Sequence, residues 1–151
     1  MSRFATGVTV VTTLDHAGKV HGMTANAYTS VCLDPPLVLI CVAHLSHTYG
    51  FIESSGQFGV NILRTDQKPI ARYFAKPPEN RHGDIDHSCT ISPSGYVTLD
   101  DSLASFSCRV VGMHEYGDHT VFVAEVEQMG LGASAEPLIF FEGSWDISQK
   151  S

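Results

Sequence analysis

Residues 7–14 read GVTVVTTL, residues 15–18 read DHAG and residues 19–27 read KVHGMTANA. The first run is rich in β-branched residues and partly alternates, which is typical of a strand with one buried face. The next four residues have the chemistry of a tight turn, and the third run resumes the strand pattern. The whole stretch therefore predicts a β-hairpin near the N-terminus.

The same period of two continues along the chain. Residues 37–42 form an apolar run that is opened by two prolines, which predicts a central strand buried on both faces. Further strands are predicted for residues 57–63, 104–110, 119–126 and 137–141. The pattern therefore indicates six or seven strands in total.

Two short helices interrupt this pattern. Ser46 is a good N-cap for a helix over residues 47–54 with a stop at Gly56, and residues 66–75 predict a second helix with Pro69 in its first turn. Residues 76–98 lose the periodicity and predict a long loop. The fold class that follows is mainly β: an antiparallel barrel or sandwich with short capping helices.

The length and the net charge of the chain limit the kinds of function that it can have. The chain has 151 residues, which predicts a single domain over residues 1–151. Its net charge of −7 argues against a broad electrostatic grip on nucleic acid or an anionic membrane, so an anionic ligand must be held locally. The longest apolar run, residues 37–43, is far shorter than the roughly 18 residues of a membrane span. With no secretory signal visible, a cytoplasmic location is expected.

The four cysteines and eight histidines do not form a recognised metal pattern. The cysteines lack a C-x-x-C pair, which favours buried thiols over a disulfide framework or a zinc site. The pairs His44/His47 and His82/His87 have no cysteine or carboxylate partners at a metal-ligand spacing. We therefore expect no bound metal. Signatures of hydrolases and of phosphate-binding loops are also missing from the sequence.

A series of short motifs carries a specific resemblance. They are FATGVTVVTT at residues 4–13, GMTANAYTSVCLDPP at 22–36, Ser46-x-Thr48, SGQFGVN at 55–61 and Gly-Asp-His at 117–119. In this order, from residue 3 to about residue 145, the sequence resembles the short-chain flavin reductases, the FMN-binding split barrels that serve two-component monooxygenases.

The resemblance implies a fold, an activity and partners. The expected fold is a six-stranded antiparallel Greek-key split barrel that forms a homodimer, with flavin in a groove near the dimer interface. The expected activity is hydride transfer from NADH or NADPH to FMN or FAD, after which the reduced flavin serves an oxygenase component. A non-catalytic flavin-binding electron-transfer protein on the same barrel is one alternative, and a plain β-barrel interaction module, in which the motifs serve packing, is another.

The resemblance also implies a set of flavin-binding residues. Small residues around Ala25 would let a flat ring approach, and the amide of Asn26 can both donate and accept hydrogen bonds. Without the resemblance, Asn26 would be interpreted as a residue that fixes a turn. Cys32 stands where the family often has serine, and a neutral thiol packed beside the ring is expected there. The implied cofactor-binding residues are Met23, Thr24, Ala25, Asn26, Ser30, Val31, Cys32, Cys41, Val42, Ala43, Ser46, His47, Thr48, Arg81 and Trp145.

The flavin phosphate is expected at the helix start after Ser46. Unpaired N–H groups and the positive end of the helix dipole converge there, and the hydroxyls of Ser46 and Thr48 add donors. The alternative is that Ser46 only caps the helix. Arg81 resembles a family arginine that closes over the phosphate or the nicotinamide dinucleotide, although His82 follows it where relatives usually have an aromatic residue. A solvated surface arginine is the alternative.

His119 is the one catalytic residue that the resemblance implies, placed near the nicotinamide and the flavin. Its alternative is a structural histidine that binds the backbone of a hairpin. Hydride transfer to flavin needs no acid–base pair, which agrees with the lack of conventional catalytic sets. Trp145, the single tryptophan, would either flank the flavin from the partner subunit or close the barrel.

Overall fold

The computed structural model describes residues 2–82 and 88–145. Its strands are β1 Thr6–Gly7, β2 Thr9–Leu14, β3 Val20–Ala25, β4 Tyr28–Leu33, β5 Pro36–Ala43, β6 Gln57–Ile62, β7 Cys89–Ile91, β8 Val97–Leu99, β9 Ala104–Tyr116, β10 His119–Leu131 and β11 Ile139–Phe140. Its helices are α1 His47–Ser55 and α2 Lys68–Phe74, with 3-10 turns at Thr65–Gln67 and Pro78–Asn80.

One antiparallel sheet organises the molecule. Its seven strands follow the order β3-β2-β6-β9-β10-β5-β4. Helix α1 packs on β2 and β3 at one end of this order and also on β5 near the other end. Val11, Ile40, Phe58 and Phe122, which come from four different strands, share one buried cluster. The sheet therefore curls around a common core, as a barrel does.

A second cluster lies under α2 and closes the barrel on that side. It joins Val8, Leu63 and Leu138 with Ile70 and Phe74 of α2. The short pair β1–β11 runs beside it and brings the two ends of the described chain together. The second helix is thus fixed by apolar burial, and its last turn sits next to β3.

A buried amide connects the barrel to the small β7–β8 hairpin. Asn61 is fully buried, its Nδ2 donates to Val10 O at 2.9 Å, and its Oδ1 accepts from Leu99 N at 2.7 Å. Nearby, Thr12 Oγ1 donates to Val97 O at 2.5 Å. Because a buried polar group costs free energy when it is left unpaired, these bonds specify how the hairpin sits on the sheet.

Most predicted elements are present. The N-terminal hairpin is confirmed as β2–β3, and α1 is confirmed together with both of its caps: Ser46 Oγ accepts from Thr48 N, and Gly56 adopts the left-handed conformation at φ 67°. The second predicted helix forms as a 3-10 turn followed by α2. The mainly antiparallel β class with two capping helices is therefore confirmed.

Three expectations about the strands need correction. The main sheet has seven strands where six were expected, because Tyr28–Leu33 adds an edge strand. Residues 89–99 form the β7–β8 hairpin, and all but the last of them belong to the stretch that was predicted to be a loop. The strand predicted over 37–42 is next to the edge and is fully buried on one face only, at Val38, Ile40 and Val42. Its other face is half-buried, and Cys41 and Ala43 on that face line the cavity described below.

The prediction of buried thiols was only partly right. All four cysteines are free, but Cys32 is exposed on the edge strand and Cys41 and Cys89 are half-buried. Cys108 alone is buried, and desolvation raises the pKa of its thiol to about 12. Among the described residues, no helix is long and apolar enough to cross a membrane.

Two glycine substitutions should have opposite effects on stability. A Cβ at Gly59 would overlap the carbonyl oxygen of Val97 and the hydroxyl of Thr12, whereas a Cβ at Gly50 in α1 would meet nothing within 4 Å. Gly59→Ala should therefore lower the free energy of unfolding by about 1–3 kcal/mol, and Gly50→Ala should raise it by about 0.5–1 kcal/mol. Urea denaturation followed by circular dichroism measures both. Equal midpoints for the two variants would contradict the packing of β6 against β8.

Candidate functional site

A cavity of about 370 Å³ opens where β3, β5, the start of α1 and the chain after α2 meet. This volume lies within the range of small-molecule sites. We call it the main cavity. Its described lining residues are Met23, Thr24, Ala25, Asn26, Ala27, Cys41, Ala43, Ser46, His47, Thr48, Phe74, Ala75, Lys76, Pro77, Pro78, Arg81 and His119.

Small side chains form one wall of the main cavity. Because side chains alternate along a strand, the burial of Ile40 and Val42 in the core turns Cys41 and Ala43 of β5 toward the opposite face, which lines the cavity. At the end of β3, Thr24 Oγ1 donates to Ala71 O of α2 at 2.6 Å. This bond ties the wall to the helix. The wall is therefore shallow and can accept a flat ligand.

The start of α1 forms a second side of the cavity. Ser46 Oγ accepts from Thr48 N and also donates to Met23 Sδ, each at 3.3 Å. The helix thus begins at the cavity, with its first-turn N–H groups and the positive end of its dipole there. Such a helix end favours an anionic group.

Arg81 is fixed beside the cavity by backbone carbonyls. Its Nε donates to Lys76 O at 2.9 Å, and its Nη2 donates to Gly22 O at 2.8 Å and to Phe74 O at 3.4 Å. The guanidinium also lies over two rings, with its Cζ 5.1 Å from the centroid of Phe74 and 5.5 Å from that of Tyr73. Burial lowers the pKa of Arg81. Arg81 is therefore partly buried and held in a fixed position beside the cavity.

The charge of the cavity is opposite in sign to that of the chain. Lys76 and Arg81 line it, and its described lining includes no Asp or Glu. Two carboxylates lie next to lining residues at the rim: Glu79 Oε2 is 3.5 Å from His47 Nε2, and Asp118 Oδ1 is 2.7 Å from His119 Nδ1, both in exposed pairs. In a chain of net charge −7, this is a local positive region that suits an anion.

His119 lies at the far side of the cavity, on the first residue of β10. Its Nδ1 lies 2.7 Å from Oδ1 of Asp118, and this hydrogen bond lowers the pKa of the Asp118 carboxyl. The carbonyl of Asp118 accepts from His44 N at 2.9 Å, which holds the turn in place. The side-chain partner of His119 is therefore the carboxylate of Asp118. The structural alternative had supposed a bond to the hairpin backbone.

The cavity brings together most of the site residues that the sequence predicted. Five of them lie outside its lining. Val42 is fully buried in the core, and Ser30, Val31 and Cys32 are exposed on the edge strand β4. Trp145 lines a smaller neighbouring cavity of about 160 Å³, together with Phe140, Ala75 and the same Thr24-Ala25-Asn26 segment.

Six lining residues were missed by the sequence analysis: Ala27, Phe74, Ala75, Lys76, Pro77 and Pro78. Apart from Ala27, they come from the end of α2 and the segment after it. Lys76 followed by two prolines in an acidic chain is a signal that could have found this side, because it places a cation on a stiff segment directly after a helix. No cluster of potential metal ligands occurs in residues 2–82 and 88–145.

The chain is similar to known flavin reductases over almost its whole length. A family model for the flavin reductase like domain matches residues 1–147. An NADH-dependent flavin reductase from a Rhodococcus species is 40% identical over 147 residues, covering 96% of this chain and 81% of that protein. A probable flavin reductase from Rhizobium meliloti (strain 1021) is 43% identical over 123 residues, covering 82% of this chain. This chain spans only 39% of that second relative's length.

Solved structures give the same result for the fold. The flavin reductase of styrene monooxygenase from Pseudomonas putida S12 superposes with a TM-score of 0.85 at 34% identity, covering 95% of this chain and 90% of that one. The NADH:FAD oxidoreductase SgcE6 from Streptomyces globisporus C-1027, in complex with NAD and FAD fragments, has a TM-score of 0.84 at 33% identity. That superposition covers 95% of this chain and 85% of the other.

Proposed function

This chain belongs to the flavin reductase like domain family, and from that membership we propose that it transfers hydride from NADH to a flavin held in the main cavity. FMN and FAD are both candidate flavins, and NADPH is the alternative hydride donor. A similar protein is the flavin reductase of a styrene monooxygenase, so the reduced flavin is proposed to serve an oxygenase component. The alternative remains a flavin carrier without a productive nicotinamide site.

The composition of the main cavity is the observation that carries this proposal. A flavin nucleotide is a flat ring with a phosphate tail, and the cavity has a shallow wall of small residues at Ala25 and Ala43. The phosphate would be bound by the first turn of α1 and by Lys76, with Arg81 beside it. The wall of small residues therefore fits the flat ring, and the hydrogen-bond donors of α1 and Lys76 fit the phosphate.

The flavin itself supplies the ring that accepts the hydride. The protein's contribution is to orient two planar ligands and to exclude water from between them. His119, held by Asp118 at the rim, is proposed to contact the nicotinamide nucleotide. Asn26, exposed at the end of β3, is proposed to hydrogen bond the polar edge of the flavin.

A homodimer is part of the proposal. The edge strand β4 is almost wholly exposed, and it carries the apolar side chains Val31 and Leu33, the latter 88% exposed. An apolar strand with an open edge is a surface that association covers. A cytoplasmic location is proposed because all four thiols are free, as in proteins from reducing compartments.

Rapid mixing tests the proposed reaction. Purified protein with bound FMN or FAD is mixed with NADH without oxygen, and the flavin absorbance near 450 nm is followed. A reductase bleaches this band far faster than free flavin with NADH does. Tight flavin binding without accelerated bleaching would favour the carrier, and failure to bind either flavin would reject both functions. Repeating the experiment with NADPH identifies the preferred donor.

Two substitutions of Ser46 separate phosphate binding from helix capping. Ser46→Ala removes the cap and should lower stability by about 1 kcal/mol while also weakening flavin binding. Ser46→Asp keeps a good N-cap, so its melting temperature should stay near the wild-type value, yet its negative charge should weaken FMN binding at least as strongly. Fluorescence titration and thermal denaturation measure the two effects. Wild-type FMN affinity in Ser46→Asp would show that Ser46 is only a cap.

Replacing His119 tests its contact with the nicotinamide nucleotide. His119→Ala should raise the KM for NADH by about tenfold, the effect of losing roughly 1.4 kcal/mol of binding, and leave flavin affinity nearly unchanged. His114→Ala is the matched control, since His114 is exposed on the paired strand β9 and does not line the main cavity. Unaltered NADH turnover in His119→Ala would mean that the histidine is structural.

A further inference from the structure

A half-buried histidine, His44, lies in the turn between β5 and α1 and is not among the residues that line the main cavity. It nevertheless contacts both chain neighbours of His119. Its backbone N–H donates to the carbonyl of Asp118 at 2.9 Å, and its Nε2 lies 3.0 Å from Oγ1 of Thr120. The residue before His119 and the residue after it are therefore held by one and the same residue.

The side chain of His119 has little else to fix its direction. It is 48% exposed, and its hydrogen-bond partner, the Asp118 side chain, is 91% exposed. Exposed side chains can adopt several rotamers, so the position of this pair depends on how firmly the backbone beneath it is held. Thr120, in contrast, is fully buried. The two bonds of His44 thus connect an exposed pair to the buried part of β10.

A chain of hydrogen bonds determines how His44 donates. The Tyr49 hydroxyl lies 3.2 Å from Oε1 of Glu53, and because an ionised carboxylate only accepts, Tyr49 is the donor of that bond. The Tyr49 oxygen can then accept from Oγ1 of Thr120 at 3.5 Å, and Thr120 in turn accepts from His44. His44 therefore carries a hydrogen on Nε2, because the bond that this nitrogen makes selects the tautomer.

The carboxyl of Asp118 is influenced by both histidines. The hydrogen bond from His119 lowers its pKa most, and the nearby charge of a protonated His44 lowers it further. A charged carboxylate is the acceptor that keeps the hydrogen of His119 on Nδ1. His44 therefore supports the Asp118–His119 bond electrostatically as well as through the backbone.

We propose that His44 is a positioning residue for His119, which it holds through Asp118 and Thr120 so that the His119 ring meets the nicotinamide nucleotide in the main cavity. This inference rests on the proposed function, because it concerns how His119 contacts that ligand. Since His44 acts from outside the cavity lining, its loss should weaken nicotinamide binding and leave flavin binding intact.

Two substitutions of His44 test the bond to Thr120. His44→Phe keeps a flat ring against Tyr49, whose ring centroid is 5.0 Å away, but has no N–H donor, whereas His44→Gln keeps one. The KM for NADH should rise about threefold to fivefold in His44→Phe, as expected for the loss of one hydrogen bond. It should return to near the wild-type value in His44→Gln, and the Kd of FMN should be unchanged in both variants.

His16→Phe is the matched control. His16 is exposed in the β2–β3 turn, its ring packs edge-on against Phe51 of α1 with the centroids 6.0 Å apart, and it lies outside the main cavity. The same substitution there should leave the KM for NADH at its wild-type value. Thermal denaturation shows whether each variant is folded.

The same bond can be removed from its other side, which keeps the test valid if His44→Phe does not fold. Thr120→Val has a similar shape but lacks the hydroxyl, and Thr120→Ser keeps the hydroxyl. The KM for NADH should rise in Thr120→Val by about the same threefold to fivefold and stay near wild type in Thr120→Ser. Equal KM values in these two folded variants would overturn the proposal.

A double-mutant cycle separates positioning from a merely structural role. In His44→Phe/His119→Ala the KM for NADH should equal that of His119→Ala alone, because His44 has then lost the group on which it acts. Effects that multiply would overturn the proposal, and so would a wild-type KM in His44→Phe.

The cycle also distinguishes failure of this inference from failure of the proposed function. An unaltered KM in His119→Ala would overturn the inference, whereas fast bleaching of the flavin by NADH in the same variant would leave the reductase function standing. A wild-type protein that does not accelerate bleaching would reject the function and this inference together.

Discussion

The alternation of side chains along β5 is the constraint on which both the core and the site depend. Val38, Ile40 and Val42 are buried in the barrel, while Cys41 and Ala43 face the main cavity. Because β5 pairs with β10 on one side and β4 on the other, its register is fixed from both sides. A shift by one residue would move the cavity wall into the core, so the stability of the barrel and the shape of the site are set by the same pairing.

The distribution of charge explains how an acidic protein can present a site for anions. The net charge of −7 excludes a broad electrostatic attraction, so the cations must be placed individually. The end of α2 does this: Lys76 follows it, and Arg81 returns to donate hydrogen bonds to Phe74 O and Lys76 O. These bonds also give the helix C-terminus donors for its last carbonyls. One arginine therefore donates hydrogen bonds at the end of a helix and supplies positive charge to the main cavity.

The sequence predicted local features well and boundary features poorly. The cap at Ser46, the stop at Gly56 and the β2–β3 hairpin follow from residue chemistry over a few positions, and each is present. The edge strand β4 was missed because its side chains are mostly exposed and give no buried alternation. Val42 was assigned to the flavin by the family resemblance, yet its side chain packs in the core. Which face of a strand meets a ligand depends on strand pairing, and pairing partners distant in sequence leave no local signal.

The four thiols differ in exposure, and this difference favours selective chemical labelling of Cys32. Only the thiolate reacts readily with maleimides and iodoacetamides, and burial raises the pKa of both Cys89 and Cys108, which keeps them protonated near neutral pH. Cys32 is the one cysteine whose side chain is exposed. A fluorophore attached to Cys32 would label the edge strand β4 without any engineered residue. Its emission would change when another protein binds to that edge.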